Sequence, residues 1–250
     1  MARAVAGRGR GRTGGTVAEL EVFPGPGALA RAAADRVVAA AGEAIRARGT
    51  FRFGVSGGRT PLGLYRRLAG LAGRIDWSRT EVSFADERGV APTDPESNFR
   101  LVCETLAGPV AIPPAHLHRM RGEAPDLDAA AAEYEPLLVA PLDLLVLGVG
   151  EDGHVASLFP NAASLAERER RVVAVLDSPK PPSRRLTVTP RVLEESRQVV
   201  VLASGSAKAR AVALALDGSP DVGALPARLL RGRTWLVDRA AAGAWTFRGR

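Results

Sequence analysis

Three side chains in one short stretch are of types that move protons. Leu142 to Pro160 reads LDLLVLGVGEDGHVASLFP: an apolar run ends in Gly148, Gly150 and Gly153, with Glu151, Asp152 and His154 among them. An imidazole titrates near neutral pH, so its uncharged form can take a proton from water. The carboxylate two residues earlier, Asp152, can orient that ring or bind hydroxyl groups. By itself His154 reads equally as a base in a cleft and as a hydrogen-bonded core histidine. The other two histidines, His116 and His118, stand at i, i+2 in HLHRM, a spacing that suggests metal. No third ligand lies near them in the chain, so they read as structural and no metal is expected. Ser157 lacks the Gly-x-Ser-x-Gly setting of a serine hydrolase, which makes it a cap or core contact.

A second group of residues suits an anion. Ser56-Gly57-Gly58-Arg59-Thr60-Pro61 joins an apolar strand pattern to a helical one. Paired glycines let backbone amides point inward, Thr60 offers a hydroxyl, and Arg59 can fork onto phosphate oxygens. The glycine spacing is not that of a Walker loop, and no Lys-Ser/Thr follows. A tight turn that binds nothing is an equal reading of this loop alone. Lys208, in SGSAKARAV, is one of only two lysines, with Lys180, and sits where a helix is expected to begin.

Gly148-Val-Gly150-Glu-Asp-Gly153 also satisfies the G-x-G-x-x-G pattern of dinucleotide sites. That pattern needs a helix opening directly beneath the glycines, facing a pyrophosphate. Here two carboxylates fill the variable positions and Pro160 interrupts the segment, so no nucleotide cofactor is expected.

These residues need elements to hold them. Leu29, Ala33, Val37, Ala40, Ala44 and Ile45 mark one face of a helix over 28–48, stopped by Gly49. Thr60 is placed to cap a helix carrying Leu64, Leu68 and Leu71, with Pro61 at its first position. Helices are also expected near 99–106, 127–139, 207–216 and 225–231. Strands are expected at 17–23, 51–56, 81–85, 142–147, 172–176, 186–189, 199–203 and 234–237. Asp86, Glu87 and Arg88 follow the third of these. Near-complete alternation of strand and helix predicts an α/β protein with a mostly parallel sheet covered on both faces.

Composition sets the outer bounds. The 250 residues are 46% hydrophobic but only 5% aromatic, so the core is aliphatic. All apolar runs fall short of the ~20 residues a membrane-spanning helix needs. The lone Cys103 fits a reducing compartment, and a cytoplasmic location is expected. More than half of the net charge of +7 lies in Arg3, Arg8, Arg10 and Arg12 of residues 1–16, which contain no acid and read as a disordered tail. The rest lacks a basic stripe interleaved with aromatics, so neither nucleic acid nor membrane is an expected partner. Residues 17–250 read as a single domain, and no feature specifies an oligomeric state.

In sequence order, SGGRTPLGLYRRLA (56–69), FADERGVAPTDPESNFRLV (84–102), LDLLVLGVGEDGHVASLFP (142–160), RRLTVTPRVL (184–193) and VVVLASGSAKARAV (199–212) resemble the 6-phosphogluconolactonases, in the sugar-phosphate isomerase/deaminase-like superfamily. The resemblance covers nearly all of residues 17–240. It implies one Rossmann-like three-layer α/β/α domain without a nucleotide. It also implies hydrolysis of 6-phosphogluconolactone to 6-phosphogluconate in the oxidative pentose phosphate pathway. The glucosamine-6-phosphate deaminases are the near competitor. In that branch the residues after the histidine run on to Asn-Glu-Pro, whereas here Leu158, Phe159 and Pro160 replace the glutamate with Phe159. The acidic step reads Asp86-Glu87-Arg88, where deaminases usually have tyrosine third. Both departures favour the lactonase.

On this reading His154 activates water, while Gly57, Gly58, Arg59, Thr60 and Lys208 hold the phosphate. Asp152 and Asp86 are further site residues, and Arg88 either pairs with the acids or approaches the phosphate. An isomerase or deaminase of the same superfamily, or a non-catalytic sugar-phosphate sensor, are the alternatives.

Overall fold

The computed structural model describes residues 19–217 and 221–244. The Arg-rich residues 1–16 lie outside the described residues. Among the described residues, ten strands form two sheets. The larger has seven strands, in the order β1 (Glu19–Phe23), β10 (Thr234–Asp238), β9 (Val199–Ala203), β6 (Leu144–Gly148), β2 (Phe51–Val55), β3 (Thr80–Phe84) and β5 (Leu117–His118). Every pairing in it is parallel. All five residues of β9 are buried, as a strand covered on both faces requires. The covering helices include α1 (Pro26–Arg48) and α2 (Arg59–Ala69), which pack on each other and on the sheet. This is the α/β architecture with a mostly parallel sheet that the alternation of elements predicts.

The small residues of α1 explain how closely it packs. Ala30, Ala33, Ala34, Ala40, Ala41 and Ala44 are buried beside Leu29 and Val37, and Gly49 ends the helix in the left-handed conformation at φ 77°. Alanine loses no side-chain entropy in a helix and lets it approach the sheet. Phe51, Phe53, Phe84, Tyr65 and Trp235 fill the widest gaps in an otherwise aliphatic core.

A second sheet departs from the expected single one. β4 (Asp86–Arg88), β8 (Arg185–Val188) and β7 (Val172–Val175) form a three-stranded antiparallel sheet. Two of these strands were expected in the main sheet, because short apolar runs carry no mark of their partner. Ala85 joins the sheets: its N–H donates to the Val55 carbonyl at 2.7 Å, and its carbonyl accepts from Val188 N–H at 2.8 Å. Helix α3 (Asn98–Val102) runs into a wider turn over Cys103–Ala107. Helices α4 (Leu127–Tyr134), α5 (Pro190–Glu195) and α6 (Ala209–Asp217) complete the set, and α5 is one that hydrophobic periodicity does not reveal.

The chain order turns back between β2 and β6. From β2 it proceeds to β3 and β5 on one side, and from β6 to β9 and β10 on the other. Loops leaving the carboxyl ends of strands at such a point diverge and leave a crevice.

Candidate active site

The crevice is a cleft of about 400 Å³ at the carboxyl ends of β2, β6 and β9. Its walls include Gly57, Gly58, Arg59, Thr60, Asp86, Arg88, His154 and Lys208, together with Ser56, Glu151, Arg185 and Ser204 to Ala207. Every expected site residue except Asp152 therefore lines one cleft, and Asp152 stands directly behind His154.

The loop after β6 makes a tight return. Gly150 N–H donates to the His154 carbonyl at 2.8 Å, and Gly153 N–H to the Gly150 carbonyl at 3.0 Å. A Cβ at Gly150 would lie 2.0 Å from His154 Nδ1 and 2.4 Å from Asp152 Oδ1. Only a glycine leaves room for the ring to fold back over the loop. Beyond Gly153 the chain forms turns and an isolated Val155–Leu158 bridge, not a helix. The helix that the dinucleotide pattern requires is thus replaced by a segment that carries His154.

His154 Nδ1 lies 2.6 Å from Asp152 Oδ1, so an Nδ1–H donates to the carboxylate and leaves Nε2 as the proton acceptor. The Phe159 ring packs against the imidazole at 4.8 Å between centroids. Burial opposes ionisation of Asp152. The hydrogen bond and charge of His154 and the bond from Lys180 outweigh it, and hold the carboxyl far below the usual carboxylate range.

The glycine loop at residues 56–61 differs from expectation in one detail. Helix α2 begins at Arg59, with Gly58 at φ 97° as its N-cap and no side-chain cap. Thr60 is therefore the second helical residue and not the cap, because Gly58 lets the chain turn two residues earlier. Its side chain is free to line the cleft beside Arg59. Gly57 packs against Asn98: a Cβ there would meet Asn98 Oδ1 at 1.7 Å. Tyr65 pins the loop from below, its hydroxyl donating to the Ser56 carbonyl at 2.6 Å and accepting from Ser56 N–H at 3.0 Å. Ser56 Oγ is buried with no partner among the described residues. Opposite, Lys208 Nζ lies 3.9 Å from Glu151 Oε1. Burial lowers the pKa of Lys208, with Glu151 acting against it.

Strand alternation sorts the acidic step. Asp86 and Arg88 face the cleft, and Glu87 points the other way. The Glu87 carboxylate accepts from the N–H groups of Arg88, Asn98 and Phe99, each at 2.7 Å, and from Ser97 Oγ. It thus caps α3 and does not reach the site. Asp86 accepts from Ser157 Oγ at 2.8 Å and from Asn98 Nδ2 at 3.1 Å. Ser157 is a buried contact, as its sequence setting predicts. Arg88 Nη1 donates to the Glu96 carbonyl at 2.6 Å. His118 and His116 both approach Glu81, at 2.6 and 3.7 Å, away from the cleft.

The comparisons with known proteins converge on one family. The model of glucosamine-6-phosphate isomerases/6-phosphogluconolactonase matches residues 24–237. The chain belongs to this family. It is 40% identical to the 6-phosphogluconolactonase of Mycobacterium tuberculosis over 239 residues, covering 89% of this chain and 96% of that protein. It is also 40% identical to the 6-phosphogluconolactonase of Streptomyces coelicolor, covering 86% and 89%. The crystal structure of a 6-phosphogluconolactonase from Shewanella baltica superposes with a TM-score of 0.76 at 30% identity, covering 91% of this chain and 99% of that one.

Within this family fold, two cations at the site escaped sequence reasoning. Arg185 is buried, its guanidinium 5.5 Å from the Phe159 ring centre. It is paired with Arg88 across β4 and β8, a pairing that no local pattern reveals. Lys180 Nζ lies 3.1 Å from Asp152 Oδ2 and 3.4 Å from His154 Nδ1. The one available signal was the rarity of lysine in an arginine-rich chain.

Proposed function

We propose that the chain hydrolyses 6-phospho-D-glucono-1,5-lactone to 6-phosphogluconate in the oxidative pentose phosphate pathway. The observation that carries this reading is an Asp152–His154 pair facing the same cleft as a glycine-rich cationic loop. Family membership and relatives named as 6-phosphogluconolactonases support it.

The phosphate docks against Gly57, Gly58, Arg59, Thr60 and Lys208, where amides, a hydroxyl and two cations converge. His154 Nε2 then takes a proton from water as its oxygen attacks the lactone carbonyl. The resulting oxyanion is stabilised by the positive potential of Arg88 and Arg185. As the C1–O5 bond breaks, the imidazolium returns its proton to the departing ring oxygen. Asp152 keeps the ring in the correct tautomer, and Asp86 binds a sugar hydroxyl. No metal or cofactor enters this sequence, and the reducing cytoplasm suits the lone Cys103.

The test is hydrolysis of freshly generated lactone, corrected for spontaneous opening, beside ammonia release from glucosamine 6-phosphate. Lactone hydrolysis far above background, lost in His154→Ala, is the expected result. Ammonia release without lactone hydrolysis would overturn the reading in favour of a deaminase. Binding without turnover of either would leave a sensor.

A further inference from the structure

We propose that Lys180 is a positioning residue of the Asp152–His154 pair: its ammonium fixes the carboxylate and disfavours protonation of the resting imidazole, so that His154 stays ready as a base. The proposal rests on the reading of His154 as the base.

Lys180 reaches the pair from outside the cleft wall. Its Nζ is 3.1 Å from Asp152 Oδ2, the oxygen that His154 does not use, and 3.4 Å from His154 Nδ1. Its contacts are to the two side chains of the pair, so it acts through them. The backbone that presents it is firmly held. Arg185 Nη2 donates to the carbonyls of Lys180 and Pro181 at 3.1 and 2.9 Å, and Arg185 Nε to that of Pro182 at 3.0 Å. Ser178 Oγ donates to the same Lys180 carbonyl at 2.8 Å.

The electrostatic reason follows from the pair itself. A carboxylate hydrogen-bonded to an imidazole favours the imidazolium, which has no lone pair to accept a proton. A cation beside both groups opposes that trapping. The groups around His154 are Asp152 and Glu151 on its own loop, Lys180 behind it, and the Phe159 ring with Arg185 upon it. Asp86, Arg59, Arg88 and Lys208 share the cleft. Lys180 is the cation that contacts both Asp152 and His154. Of the chain's 34 basic residues only Lys180 and Lys208 are lysines, and both stand at this site. An ammonium delivers a compact charge, whereas a guanidinium fork spreads it over a plane.

The experiment compares the full-length chain with Lys180→Met, Lys180→Gln and Lys180→Arg. The imidazole of His154 is titrated by carbon–proton NMR, its signal assigned by its loss in His154→Ala. Lys180→Met and Lys180→Gln should move its midpoint upward by about 0.5–1 pH unit, the effect of removing one nearby charge. Lys180→Arg should restore most of the difference. The acidic limb of kcat/KM for the lactone should move by the same amount, with KM changed less than about twofold and kcat recovering at higher pH. A midpoint that stays put or moves down in both neutral variants would overturn the proposal, as would a kcat loss equal at every pH. The NMR arm needs no turnover. A wild-type chain without lactone hydrolysis would therefore sink the functional reading alone, and an unmoved midpoint in an active enzyme would sink this inference alone.

Discussion

At the scale of single residues, the proposed mechanism divides the site into groups that act on the reaction and groups that bind its substrate. His154→Ala should lower kcat by about 10²–10⁴-fold, the usual contribution of a general base. It should leave the thermal midpoint nearly unchanged, because the ring is partly exposed at the cleft. Parallel turnover and melting measurements check both halves. Arg59→Ala and Lys208→Ala remove anchoring charge without touching the reacting carbonyl. Each should raise KM by about tenfold, the size of one charge-assisted hydrogen bond, with a smaller change in kcat. Steady-state kinetics on each variant decides this. Gly150→Ala is the subtler case, since its methyl would lie 2.0 Å from His154 Nδ1. The ring must move, so kcat should fall nearly as far as in His154→Ala while the circular dichroism spectrum stays native.

At the scale of elements, the short strand β4 serves both faces at once. Asp86 and Arg88 point into the cleft while Glu87 ties the start of α3 to the same strand. Asn98, at that helix start, holds Asp86 and packs against Gly57, so the cap couples the acidic strand to the glycine loop at 56–61. Glu87→Gln keeps the shape but sets an amide group among N–H donors. A loss of about 1–3 kcal/mol is expected for buried groups left unpaired. Denaturant unfolding measures that loss, and a rise in KM should accompany it if the coupling holds. Loop 178–183 shows a related division of labour, with Arg185 bound to its carbonyls below and Lys180 presented above.

At the scale of the whole molecule, the parallel sheet supplies the crevice and the carboxylates set the acid sensitivity. Asp238 is buried and anchors the Ser204–Gly205 loop, accepting from Ser204 Oγ at 2.5 Å and from Gly205 N–H at 3.1 Å. Burial opposes its ionisation, but these donors and Ala241 N–H win, so its pKa lies below the ordinary value, as does that of Asp152. The folded state then holds fewer protons than the unfolded chain. Stability is therefore present above the unfolded carboxylate value of about 4 and lost as pH falls through and below it. Glu87 works in the opposite sense, because burial raises its pKa against its backbone donors, and its contribution weakens as pH rises above its unfolded value. Unfolding free energy measured from pH 6 to pH 3 should fall, and Asp238→Asn should flatten that fall.

Much of this was legible in the residue order. Apolar periodicity, with Gly49 as a stop, located α1 to within two residues, and alternation of strand and helix implied a parallel sheet. Local chemistry also picked out His154, Asp152 and the Ser56–Thr60 loop, because glycines beside polar side chains at strand ends are a sequence-local signal. The partner of a strand is not such a signal. Two ordinary strand patterns and the wholly charged Asp86–Arg88 form the antiparallel sheet, and that sheet alone turns Glu87 away from the cleft while bringing Arg185 beside Arg88. Thr60 failed as a cap because Gly58 at positive φ had already turned the chain. Residue types and their order along the chain determined the family and the fold class, and marked out the proposed base and the proposed phosphate loop. Only the tertiary structure decided which charges surround that base. Lys180 and Asp152 are distant in sequence, and a contact between them exists only once the β7–β8 loop is folded over the end of β6.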